Sequence, residues 1–212
     1  RLQAACSLGA SESPEAGRAL AQLMVRDADD MYIRAAVFSS AHIHFDQLAQ
    51  ASLENGVLLS ELIKLGGSHS KASLDALVSR LAVPGKDGFQ PGQLRSLATW
   101  IDHNPEASSG LAEVIAKARN ILADNDAPVP LRAAAIALLG RQPSHLAADQ
   151  DRLTKFLTPQ VPSEIKLAAV ESMARVGGER LPDILLKGWP NYLPRERSHV
   201  LDTLLRRKDW TL

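Results

Sequence analysis

Cysteine is nearly absent from this chain: Cys6 is the only one. A single thiol excludes an intrachain disulfide, a CxxC redox pair and a thiolate zinc site. Aromatic residues are almost as scarce, at 4%. The apolar mass is therefore Leu, Ala, Val and Ile, a composition that suits helices better than sheets. Excess charge is missing too, since 24 basic residues face 24 acidic ones. A duplex-binding domain carries a basic excess on one face, so nucleic acid is not an expected partner. No apolar run approaches the ~18 residues of a membrane span. There is no charged-then-apolar leader, and Arg1 stands where an initiator methionine would be, so the sequence reads as a segment of a longer chain.

What remains is a repeat. The stretch LRAAAIALLG, from Leu131 to Gly140, places three alanines in a row where a core built for bulk would use larger groups. Related segments begin at Arg1 (RLQAACSLG), Arg34 (RAAVFSSA), Arg132 (RAAAIALLG), Lys166 (KLAAVESMA) and Arg197 (RSHVLDTLL). Each has a basic residue followed three positions on by a small or β-branched one: Ala4, Val37, Ala135, Ala169 and Val200. Seven positions on stand Leu8, Leu139, Met173 and Leu204, with Ala41 as the exception. The starts lie 33, 98, 34 and 31 residues apart, and weaker copies at Leu58 and Arg95 fill the long interval. A period of 30 to 40 residues marks a stacked array of supersecondary units.

Second helical patterns lie between these segments. Leu74, Leu77, Val78 and Leu81 keep the spacing of one helix face, as do Leu111, Val114, Ile115 and Ala118, continued by Ile121 and Leu122. Glycines at Gly9, Gly66, Gly67, Gly140, Gly177 and Gly178 read as helix stops. Asp30, Asp126 and Ser163 read as N-caps, with Pro128, Pro130 and Pro162 nearby. The expected fold is all-α, an α-solenoid of about six to seven stacked antiparallel helix pairs. Its approximate units are 1–30, 31–56, 57–89, 90–127, 128–161, 162–193 and 194–212, within one repeat domain. Small side chains then let neighbouring helix backbones approach at the close end of the usual 8–10 Å.

The segments YIRAA, PLRAA and EIKLAA resemble HEAT-type repeats over nearly the whole chain. The resemblance implies a curved, armadillo-like scaffold that binds other macromolecules. RLQAACSLG, YIRAAVFSSA and the closing RRKDWTL are similar to the helical segment of large multidomain proteins of planctomycete and verrucomicrobial bacteria. There, such repeats lie between a β-propeller resembling sugar dehydrogenases and a cytochrome c-type domain, which implies an extracytoplasmic or periplasmic location. The haem-attaching CxxCH is not present, because Ser7 and Leu8 follow Cys6. No haem or dehydrogenase role passes to any residue here.

Several constellations imitate sites. His42 and His44 with Asp46 offer two imidazoles and a carboxylate, but a spacing of two splits them across a helix. They read as solvent-facing histidines at a helix end. Asp124-Asn125-Asp126 opens like a calcium loop, yet Pro128, Val129 and Ala135 occupy positions that need ligands or glycine. Asp102 and His103, beside Trp100, are adjacent and do not face one another on a helix. Gly85-Lys86 lacks the earlier glycine of a P-loop, where Arg80 stands. Val83 to Gly92 is the longest irregular stretch and reads as an inter-unit connection. Arg206-Arg207-Lys208, flanked by Asp202 and Asp209, reads as a solvated helix end.

GWPNYLP, from Gly188 to Pro194, holds the candidate partner-binding residues Trp189, Asn191 and Tyr192 in a proline-stiffened turn. The same aromatics would also serve to pin one helix pair to the next. The expected function is a non-enzymatic scaffold or protein-interaction module, without cofactor or metal. Its partner is a protein or the flanking domains of the same polypeptide, and exposed terminal repeats predict self-association. One alternative is a helical spacer in a haem-containing, dehydrogenase-like electron-transfer protein. Another is a DNA glycosylase-type enzyme using Trp100, Trp189 and Asp102, against which the neutral charge argues.

Overall fold

The computed structural model describes residues 1–55, 58–65, 71–206 and 210. Among them every regular element is helical, and the one extended pairing is an isolated bridge between Gly85 and Gly88. In chain order the α-helices are α1 Leu2–Gly9, α2 Pro14–Arg26, α3 Met31–Ser39, α4 Ala41–Asn55, α5 Leu59–Leu65, α6 Lys71–Leu81 and α7 Pro91–His103. They continue with α8 Ala112–Ala123, α9 Val129–Ile136, α10 Leu146–Lys155, α11 Ser163–Val176, α12 Leu181–Lys187 and α13 Pro194–Leu205. The chain divides into two compact units, Arg1–His103 and Asn104–Leu212. That boundary falls inside the 90–127 repeat unit read from the sequence.

The repeat motif has a consistent address: all seven copies fall on the odd-numbered helices. Helices two apart pack together in both units, alongside chain neighbours such as α1 with α2 and α8 with α9. In the first unit α1 packs on α3, α2 on α4 and α5 on α7; in the second, α9 packs on α11 and α11 on α13. Counting from the basic residue, the third position is completely buried at Val37, Ala135, Ala169 and Val200. Among the five copies with a basic residue set out above, only α1 departs: Ala4 is exposed and Ala5 is buried instead. The alanine run of α9 is enclosed throughout, with Ala134 and Ala135 at 0% exposure and Ala133 at 5%. Methyl-sized groups at these positions keep the neighbouring helices close. Leu74, Leu77, Val78 and Leu81 form the buried face of α6, as their spacing requires.

Helix ends are satisfied in ways the sequence showed only in part. Asp30 caps α3 by accepting the N–H groups of Tyr32 and Ile33. Ser13 caps α2 by accepting the N–H of Ala16 at 3.1 Å. Asp126 and Ser163 are not caps. Pro128 and Pro162 hold those positions without side-chain bonds, Asp126 N–H turns back to Asp124 Oδ1, and Ser163 is the first residue of α11. The α9 helix ends at Ile136, and its chain tightens to Gly140 through bonds three residues back. Two carbonyls there accept from the next odd helix: Ser172 Oγ donates at 2.9 Å to Ile136 O, which also takes Leu139 N–H, and Arg175 Nη2 donates to Leu139 O at 2.7 Å.

Glycines also divide by role. Gly140, at φ 72°, occupies the left-handed region that an L side chain resists. Gly9 is not such a stop, because it lies inside α1 and allows close approach to α3. A Cβ there would fall 1.8 Å from Ser40 Oγ and 2.8 Å from Ser40 Cβ. Gly9→Ala is therefore expected to destabilise the chain by about 1–2 kcal/mol, overpacking outweighing the gain in helix propensity. A urea midpoint equal to wild type would show that α1 and α3 separate freely. Gly66 and Gly67, with Arg207, Lys208, Asp209 and Leu212, lie outside the described residues.

Candidate functional site

Three grooves among the described residues are lined mainly by even-numbered helices. On α2 the residues Arg18, Gln22 and Arg26 recur every four positions, and on α4 so do Asp46, Gln50 and Glu54. One helical period thus puts three polar side chains in a row along each wall. Between the two rows runs a groove of about 670 Å³, with Ala21, Val25 and Ala51 also lining it. A second groove of about 450 Å³ lies between α4 and α6, lined by Leu53, Ala76, Leu77 and Arg80, and it shares Asp46 and Gln50 with the first. In the second unit, a groove of about 850 Å³ is lined by Gln150, Asp151 and Lys155 of α10 and by Glu179, Arg180 and Ile184.

Charges along the first groove are largely engaged by neighbours. Arg18 pairs with Glu15 at 2.7 Å, and Arg26 with Asp27 at 3.0 Å. Gln50 donates to Glu54 and accepts from Arg80 of α6, tying the two grooves together.

Two buried ionic clusters, neither found from the sequence, fix the second unit. Asp149 of α10, 1% exposed, accepts two bonds of 2.9 Å from Arg119 of α8 and another of 2.9 Å from Gly140 N–H. Burial pushes its pKa up and is the largest single influence, but the Arg119 and Gly140 bonds with the Arg119 and Arg152 charges outweigh it. The net result is a carboxyl held below its usual value. In the second cluster Glu196 of α13, 2% exposed, lies 3.3 Å from Lys166 Nζ of α11 and accepts Leu193 N–H at 2.9 Å. Its pKa is likewise lowered, because those contacts and the Ser163 hydroxyl outweigh the upward push of burial.

The candidate aromatics lie beside this second cluster. Trp189 to Asn191 form a 3-10 turn, with Trp189 half-buried beneath the Arg197 guanidinium, 5.6 Å from the ring centroid. Asn191 is exposed. Tyr192 is buried at 4% exposure, as the packing role read for these aromatics requires and a surface anchor does not. Its hydroxyl packs where a Gly188 Cβ would come within 2.4 Å, and burial, then Glu196, raises its pKa.

The other constellations do not assemble. His42 and Asp46 are exposed, whereas His44, expected to face solvent, is buried at 1% within α4, where the helix kinks. Its ring fits against Gly17 of α2, where a Cβ would lie 2.8 Å from Nδ1, and its Nε2 has no hydrogen-bond partner. Trp100 is buried in α7, and Asp102 and His103 are exposed, with His103 Nδ1 on Thr99 O at 2.8 Å. The Val83–Gly92 stretch closes on itself through paired 3.1 Å bonds between Gly85 and Gly88, leaving Lys86 and Asp87 exposed at its tip. Among the described residues no group of three or more His, Cys, Asp or Glu side chains is placed to hold a metal ion. No helix among them is long and apolar enough to cross a membrane.

Comparison with protein-family models, curated proteins and solved structures finds no match to this chain.

Proposed function

We propose that the chain is a HEAT/armadillo-like α-solenoid acting as a non-enzymatic scaffold for a protein partner. One observation carries this reading: side-chain bonds between helices join residues about one repeat apart. Met24 meets Ser52, Ser60 meets Ser96, Arg119 meets Asp149, Lys166 meets Glu196, and Ile136 meets Ser172, at separations of 28 to 36 residues. An array in which each unit touches its neighbours yields such contacts, whereas a bundle mixes long and short separations. The odd helices then supply the close-packed seam, and the even helices supply the grooves.

A peptide segment lying along α2 and α4 would bury apolar atoms on Val25 and Ala51 while its charges meet the polar rows. A displayed peptide library is the direct test. Peptides enriched on the wild-type chain are expected to lose at least tenfold in affinity on Ala51→Arg, which fills the groove. Failure to enrich any sequence, or equal binding to the variant, would remove the groove as the binding surface.

A further inference from the structure

The two walls of the α2–α4 groove are in register. Ser52 Oγ donates to Met24 Sδ, 28 positions earlier. A Cβ on Gly17 would meet His44 and Gln47, 27 and 30 positions later. The two helices therefore run parallel, at an offset near 28. The same offset joins Arg18 to Asp46, Gln22 to Gln50 and Arg26 to Glu54. The groove is thus crossed at three levels, each separated by the rise of four helical residues, about 6 Å. A guanidinium faces a carboxylate at the first and third levels, and two amides face each other at the middle one. All of these side chains are exposed, and half-buried Val25 and Ala51 lie between the rows. Both walls belong to one compact unit.

Each wall carries one sign. Among the described residues the Asp46 carboxylate has no hydrogen-bond or ion-pair partner, and Glu54 accepts from the neutral amide of Gln50. The α4 wall therefore keeps both negative charges. On α2, Arg18 meets Glu15, and Arg26 shares the Asp27 carboxylate with Arg1. Exposed pairs of this kind are weak, and a guanidinium has more donors than one carboxylate engages. Both arginines can take a second acceptor.

We propose that the groove receives an amphipathic helix of a partner protein whose two flanks carry opposite charge. Its apolar stripe lies on Val25 and Ala51, its acidic flank meets Arg18 and Arg26, and its basic flank meets Asp46 and Glu54. The inference rests on the reading of this groove as a protein-binding surface and names the partner's shape and charge. A helix fits because each level offers contacts on two walls and a floor. A stripe with two flanks, repeating every four residues, supplies all three at the spacing of the walls. A flat extended strand sends its side chains alternately to two sides and leaves the floor unfilled. Complementary charge of this kind fixes direction and partner choice more than affinity. Docked in reverse, the same helix would set each flank against a wall of its own sign.

A displayed library of small helical bundles tests it on the whole chain. One helix of the bundle keeps Leu and Ala along its stripe, and its flank positions are varied. Helices enriched on the wild type are expected to be acidic on one flank and basic on the other. Arg18→Glu/Arg26→Glu alters only exposed positions, so wild-type circular dichroism is expected, with at least tenfold weaker binding of those helices. Panned on this variant, whose walls are both acidic, the library is expected to yield helices basic on both flanks. Wild-type binders with uncharged or single-sign flanks that still fail on Ala51→Arg would overturn the proposal and leave the groove as a binding surface. Binders indifferent to Ala51→Arg, or no binders at all, would remove the groove and the proposal together.

Discussion

Replacing Asp149 by alanine is expected to lower the stability of the chain by about 3–5 kcal/mol, the cost of stranding the charge that Asp149 pairs in the interior. Three donors lose their acceptor at once: Nε and Nη2 of Arg119, and the N–H of Gly140. The Gly140 turn adds to the effect, because its left-handed backbone is held partly by that bond. Urea denaturation followed by circular dichroism gives the magnitude, and a loss below 1 kcal/mol would mean the cluster is solvated in solution. The same residue sets a pH response. Its folded-state pKa is lower than the roughly 3.9 of an unfolded aspartate, so the stability it contributes is complete above that value. That contribution disappears as pH falls through the lower, folded-state value. Wild type is expected to weaken from about pH 4 downward, and Asp149→Asn to show a shallower decline.

The second large effect concerns the buried pair between α11 and α13. Glu196→Ala leaves the Lys166 ammonium enclosed at 4% exposure, and a loss of about 3–5 kcal/mol is expected. Lys166→Met strands the carboxylate instead, although Leu193 N–H still satisfies one of its oxygens. The double variant Lys166→Met/Glu196→Leu removes both charges and keeps the volume. It is expected to be more stable than either single variant, with a coupling of roughly 2 kcal/mol or more. Purely additive losses would mean the two side chains act separately, contrary to their 3.3 Å approach.

The helices were legible because burial imposes a period on sequence. Leu74, Leu77, Val78 and Leu81 declare a face whatever it packs against. The alanines of α9 declared something further, that the neighbour across the seam is close. Position within the array was not legible from the same letters. Ala4 and Ala135 hold the same motif position, yet one is exposed and the other enclosed. Gly9 and Gly140 look alike after an apolar run, but one allows close approach and the other a left-handed turn. His44 reads as a surface residue until Gly17, 27 positions earlier, is seen to make room for its ring.

The ionic clusters escaped for a different reason. Single-helix rules search three or four residues away, whereas Arg119–Asp149 and Lys166–Glu196 are each separated by 30. Opposite charges one repeat apart, each beside an apolar stripe, were the available signal. For the even-helix grooves the signal was the four-residue recurrence of Arg18, Gln22 and Arg26 against Asp46, Gln50 and Glu54. Such rows stand out only once α2 and α4 are known to lie side by side. Tyr192 stayed open between anchor and packing because a proline-framed aromatic turn looks identical whether its ring points outward or folds back on Gly188.

A uniform spacing of inter-helix contacts has a kinetic meaning. Each one closes a chain segment of about 30 residues, for which the loop-closure term is roughly 3 kcal/mol and grows only logarithmically with length. No contact carries an exceptional entropic penalty, so no one helix pair is an obligatory starting point. Within each unit, ordering can begin at any of these contacts, since each closes a segment of similar size.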